Sequence, residues 1–400
     1  MAHNRAVCAG RFVTSTSIQF EFFSFSMKNP VIVVGAGVLG LMIARELSHA
    51  GAQVVVLDRQ TAGRESSWAG GGILTPLYPW RYEASISRLA RWSQQHYPGL
   101  CQDLAARTGV DPQYERTGML LTADKQESSR ALNWAQEFNQ ALESVTSAQA
   151  HELEPQLGEI PAQFLWMKNC AHVRNPRLLA AIRRDLELNG VEIHENSEVQ
   201  GFDIQADAIT RVITCDGKLD ASACVIAAGA WTGRLVKSLD VSLPIEPVRG
   251  QMLVYNTPPG TIHRMILHQS RYLIPRRDGR VLVGSTLEYD DFEKIVTDEA
   301  RLSLQKSAEL LAPILNNSVV EHHWAGLRPG SPGGRPFIGR HPSLTNTYVC
   351  SGHFRNGLVL APASARLMVD LMLERAPIVD PGPYALPRPG RNGFDHLYSF

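Results

Sequence analysis

No cysteine of this 400-residue chain stands in a Cys-x-x-Cys pair, although six are present (Cys8, Cys101, Cys170, Cys215, Cys224 and Cys350). Scattered thiols in a long chain without a secretory signal predict reduced cysteines and a cytoplasmic location. The 13 histidines lack zinc-ligand spacing, and the adjacent His322 and His323 point apart on either a helix or a strand, so no metal site is expected. No apolar run reaches the roughly 18 residues of a membrane span. Net charge is missing too: 39 basic residues balance 39 acidic ones. Without a basic stripe to neutralise phosphates, nucleic acid is not the expected partner. Internal repeats and low-complexity tracts are also absent.

What is present is a chain 44% apolar, long enough for two domains or one composite domain. Residues 1–26 carry early arginines and then Ile18, Phe20, Phe22, Phe23 and Phe25. They have neither a continuous apolar core nor a small-residue cleavage site. We read them as a disordered extension ahead of Met27.

The most telling segment is 31–58. Val31–Val34 is a short apolar run ending in glycine, the mark of a buried parallel strand. Leu39, Met42, Ile43 and Leu47 then recur at spacings of three and four, which predicts an amphipathic helix over 38–49 stopped by Gly51. A second run, 54–57, closes a βαβ unit. Between strand and helix lies Gly35-x-Gly37-x-x-Gly40, a dinucleotide-binding turn in its proper context. Gly35 permits the tight turn, Gly37 lets backbone approach a pyrophosphate, and Gly40 allows close helix–strand packing. The helix N-terminus offers free N–H groups to phosphate. Asp58, ending the second strand, can accept from ribose hydroxyls and would repel a 2′-phosphate. The hydroxyl- and glycine-rich stretch 63–73 suits a backbone lying along an extended cofactor. Together with the single fingerprint, it leans towards a flavin dinucleotide.

Further helices are predicted around 86–107, 125–142, 176–189, 298–312 and 358–373. From 191 to 228 the period shifts towards two, with Asp216-Gly217 as a hairpin turn between 209–214 and 223–227. Strands at 251–255, 271–275 and 281–285, turning at Asp278-Gly279, predict an antiparallel sheet; 348–351 is a further strand. The tail after Pro377 is expected to be loosely held. The expected fold is α/β: a discontinuous Rossmann-like layer over 27–105, 170–245 and 325–380. An α+β unit with a mainly antiparallel sheet is formed by 106–169 and 246–324, and 381–400 is a tail.

Several segments together resemble the D-amino-acid-oxidase-like flavoproteins, over roughly 29–375. They are 66–73, 248–251 (Val-Arg-Gly-Gln), 324–330 (Trp-Ala-Gly-Leu-Arg-Pro-Gly), 339–342 and 352–362. The likeness is greatest to the glycine-oxidising members. It implies non-covalent FAD, with Val38 and Leu39 at the pyrophosphate and Asp58 and Arg59 at the adenosine ribose. Ser66, Ser67, Gly71, Gly72 and Ile73 would line the path to the flavin, and Val199 would contact the adenine. His353, Phe354, Arg355, Asn356, Gly357, Leu358 and Val359 would wrap the flavin ring, with Ile73 and Leu287 bordering the substrate space. The resemblance places the substrate carboxylate on Arg328, whose planar fork matches it, with Tyr272 and Arg355 as further contacts. It implies a small amino acid and dioxygen as reactants, a homotetramer, and a role in thiamine thiazole synthesis. No catalytic acid or base is assigned. The alternatives are another D-amino-acid or sarcosine oxidase or dehydrogenase, or an RNA-modifying flavoprotein domain.

Overall fold

The computed structural model describes residues 29–289 and 292–387. The extension read over 1–26 and the end of the tail, 388–400, lie outside the described residues. Two large sheets carry the molecule. The first has six strands in the order Phe337–Arg340, Thr347–Ser351, Ala223–Ile226, Val31–Val34, Val54–Leu57, Glu192–His194. All neighbours are parallel except the first pair. Val31–Val34 shows why these apolar runs become strands. Val31 and Val33 pack into a core beneath the helices Val38–His49, Ala84–Thr108, Asn175–Leu188 and Gly357–Met372. Ile32 and Val34 enter a second core on the opposite face, which Val199, Ile209 and Val212 of a three-stranded sheet help to form. A strand buried on both faces must be apolar throughout.

The second sheet has nine strands. Its spine runs from Glu246–Asn256 through Arg280–Gly284, Arg271–Pro275 and Met265–His268 to Met119–Ala123, Gln163–Met167 and Leu142–Val145, with Val319–Gly330 on the other edge of Glu246–Asn256. Its two faces bury separate cores, Leu120 and Leu273 on one side and Met119, Leu121 and Ile274 on the other. Among the described residues no helix is long and apolar enough to cross a membrane.

Three expectations need correction. The turn at Asp216-Gly217 pairs Ala208–Thr214 with Gly217–Asp220, not with 223–227. Ala223–Ile226 instead enters the parallel sheet beside Val31–Val34, because its four residues are all buried. The helix from Lys125 stops at Glu137, and Leu142 begins a strand. The segment 324–330, given no element from sequence, belongs to a long strand, Val319–Gly330. The tail is anchored as far as 387: Tyr384 is buried and donates to Ser85 O at 2.8 Å.

Candidate active site

A deep cleft of about 1900 Å3, counting the space at its mouth, runs between the two sheets. At one end lies the glycine turn. Gly35 has φ of 107° and a Cβ there would sit 2.5 Å from Ala227 O, so only glycine fits the crossing. At Gly40 a Cβ would lie 1.8 Å from Gly35 O, which fixes its role as packing; it does not line the cleft. The first N–H groups of the helix Val38–His49 are exposed to the cavity. One of them, from Val38, is taken by Ser67 Oγ at 2.9 Å.

Asp58 and Arg59 also line this end, but both already have protein partners. The Asp58 carboxylate accepts from Ala36 N at 2.7 Å and Gln60 N at 2.9 Å, tying the end of one strand to the turn of its neighbour. Burial raises its pKa against these two donors. A carboxylate has about four lone-pair sites, so ribose hydroxyls still find acceptors. Arg59 pairs with Glu65 at 2.8 Å and lies 3.6 Å above the Trp231 ring. Trp231 comes from a turn after Ala223–Ile226 and was not foreseen. Its signal was weak, a lone aromatic after Gly229.

Gly71, Gly72, Ile73, Ser66 and Val199 all line the cleft, as do His353, Phe354, Arg355, Gly357 and Leu358. Asn356 and Val359 do not: both are buried behind the wall. Leu287 is 40% exposed and outside the lining, so it does not border the substrate space; Met252 and Leu77 do. His353 donates to or accepts from Ser364 Oγ at 2.9 Å, and burial drops its pKa to about 3, so the ring is neutral.

The far end is built from side chains. Arg328 projects from Val319–Gly330 beside Tyr272 of Arg271–Pro275. Gly250, two residues along the partner strand from Val248, which pairs with Arg328, leaves room: a Cβ there would fall 2.1 Å from Arg328 Nη1. Arg328 Nη1 donates to Arg249 O at 3.3 Å and Thr286 O at 3.2 Å, and Nη2 to Ser285 Oγ at 2.7 Å. Those bonds use three of five donors. Tyr272 is a further hydrogen-bond partner of the same guanidinium. No carboxylate of the described residues is ion-paired with Arg328. Glu288 is occupied by Arg249 at 2.8 Å and Gln251 at 3.0 Å. Burial pulls the Arg328 pKa down to about 10, with Tyr272 opposing and Arg355 reinforcing the shift. It stays cationic at neutral pH.

The lining fits a flavin dinucleotide. Backbone donors face the phosphate end, and Asn175 Oδ1 and Thr75 Oγ1 are buried polar atoms of the wall with no protein partner. Such orphans require a ligand or water.

Residues 30–371 match the family described as FAD dependent oxidoreductase. A glycine oxidase of Pseudomonas aeruginosa is 47% identical over 90% of this chain and 99% of its own length. A bifunctional ThiO/ThiG protein of Synechocystis is 33% identical over 86% of this chain and 52% of its own. The crystal structure of glycine oxidase from Geobacillus kaustophilus superimposes with a TM-score of 0.84 at 27% identity, covering 90% of this chain and 98% of that one. The chain belongs to the FAD-dependent oxidoreductase family, and its cofactor is FAD.

Proposed function

We propose that this FAD-dependent oxidoreductase is a glycine oxidase acting in the cytoplasm. It deaminates glycine and small related amines such as sarcosine and D-alanine, giving an imine that hydrolyses to glyoxylate and ammonia. FAD, when bound here, would supply the two-electron redox chemistry, with dioxygen as the final acceptor and hydrogen peroxide as its product. Arg328 carries the reading. A half-buried guanidinium that lines the cleft with no carboxylate of its own is complementary to a substrate carboxylate.

The chain's residues then divide the work. Arg328 binds the carboxylate, Tyr272 abuts the same guanidinium, and Arg355 adds positive charge from the loop after Gly352. Anchoring one end of a two-carbon substrate fixes its Cα, so orientation is the main device. Asp58 is tied to backbone, Glu65 to Arg59, and His353 is held neutral, and no side chain is assigned as base; a substrate with a neutral amine needs none. The names of the relatives support a place in thiamine thiazole formation.

The test is a visible spectrum followed by peroxide release with glycine, sarcosine, D-alanine and D-proline compared side by side. A protein that cannot be made yellow with FAD would sink the reading. Turnover of D-proline with none of glycine would transfer it to another amino-acid oxidase of the same family. Oxidation of glycine without peroxide would make it a dehydrogenase.

A further inference from the structure

One buried cation behind the cleft wall takes no part in the chemistry above. Arg276 follows the strand Arg271–Pro275 and is 7% exposed. Its Nη2 donates to Gly71 O at 2.8 Å, while Nη1 donates to Val173 O at 2.9 Å and to His172 Nδ1 at 2.8 Å. A guanidinium can only donate, so His172 Nδ1 accepts and the imidazole is neutral. That agrees with the strong downward push that burial and Arg276 exert on the His172 pKa. No carboxylate of the described residues pairs with Arg276. Asp278, two residues on, is held by Arg174 and Arg280 at 2.8 Å each.

The three acceptors belong to one structure. Residues 71–74 run antiparallel to 171–173, through Val173 N to Gly72 O at 3.0 Å, Leu74 N to Ala171 O at 2.9 Å, and the Ile73–His172 bridge. Arg276 ties the two segments together where Gly72 turns at φ of 85°. Gly72 is itself irreplaceable, since a Cβ would lie 2.1 Å from Val173 O and 3.3 Å from Arg276 Nη2. Gly71, Gly72 and Ile73 line the cleft, and among the described residues their N–H groups meet no backbone acceptor. Gly72 is buried and its two neighbours half-buried, so a group bound in the cleft is the fitting partner for this row.

We propose that Arg276 is a positioning residue of the flavin site: it fixes and polarises the Gly71–Ile73 donor row and sets an uncompensated positive charge behind it. A cation on the Gly71 carbonyl strengthens the neighbouring N–H as a donor through hydrogen-bond cooperativity. The same charge, buried at low dielectric, favours a ligand that gains negative charge. The inference rests on FAD occupying this cleft.

Arg276→Met and Arg276→Lys test it through four readouts: the FAD dissociation constant of the apoprotein, the visible spectrum, the flavin midpoint potential, and apoprotein thermal unfolding. Arg276→Met is expected to weaken FAD at least tenfold, shift the visible bands and lower the midpoint potential. Arg276→Lys, keeping charge but not the two-carbonyl grip, should recover part of the potential. A yellow Arg276→Met protein with wild-type affinity, spectrum and potential overturns the inference, even if it unfolds at lower temperature. If Arg276→Met yields no soluble protein, Arg276→Lys decides, and an unshifted spectrum and potential there overturn it. A wild-type protein that binds no FAD overturns the reading beneath instead.

Discussion

The two ends of the cleft are built by opposite means. The glycine-turn end uses backbone: Gly35, Gly37 and the first N–H groups of Val38–His49, all within one short stretch of chain. The carboxylate end uses side chains and carbonyls from Arg249, Tyr272, Ser285, Thr286 and Arg328, spread over four segments. Backbone donors are generic and hold a phosphate whatever it is attached to. A guanidinium without a carboxylate of its own selects one functional group. Cofactor retention and substrate choice should therefore fail separately.

The strongest challenge to that separation is Gly37→Val. At Gly37 an added Cβ meets only Ser67 Oγ, at 3.2 Å, so the fold should persist while the side chain blocks the phosphate approach. The expected protein is folded by circular dichroism and colourless; a yellow one would break the comparison at its first end. Next comes Arg328→Ala, which should stay yellow. Losing two charge-assisted bonds at about 1.5–3 kcal/mol each lowers kcat/KM for glycine by about a hundredfold to ten-thousandfold, mostly through KM. Colour lost with activity would show that the ends are not independent. Tyr272→Phe removes one neutral hydroxyl beside the guanidinium, worth about 0.5–1.5 kcal/mol, and should cost about two- to tenfold in kcat/KM with colour intact.

The smallest effect concerns pH. His353 is neutral in the fold, with a pKa lowered to about 3 by burial, against about 6.5 unfolded. The unfolded chain then binds the proton that the fold refuses. Its contribution is complete above about pH 6.5 and is lost as pH falls towards 3. Denaturant titrations at pH 7 and 5 should show stability falling, and His353→Asn should reduce the slope.

The same contrast explains what the sequence made legible. The unit 31–58 could be read closely because period, turn and acid are local, and the helix 38–49 was placed to the residue. Arg328, Tyr272 and Arg355 were reachable only through family resemblance. That they line one cavity, and that Arg328 lacks a carboxylate, are facts of the third dimension. Arg276 and Trp231 gave no usable signal, since the worth of each depends on partners some 200 residues distant in Gly71 and Arg59. The hairpin at Asp216-Gly217 was misassigned because a turn motif marks where a chain reverses but not which run it returns along. The short strands Met119–Ala123 and Met265–His268 escaped notice because they pair parallel to each other across a long intervening stretch.

The 11-residue strand Glu246–Asn256 has a temporal consequence. One whole edge of it is covered by Val319–Gly330, which reaches the growing chain much later. Until then the nascent protein displays a long open edge, the kind that recruits other chains. Thr347–Ser351 arrives later still to flank Ala223–Ile226. The cleft wall, which includes residues as late as Leu358, is complete only once most of the chain has been made, and chains cut short before about residue 319 keep that edge open.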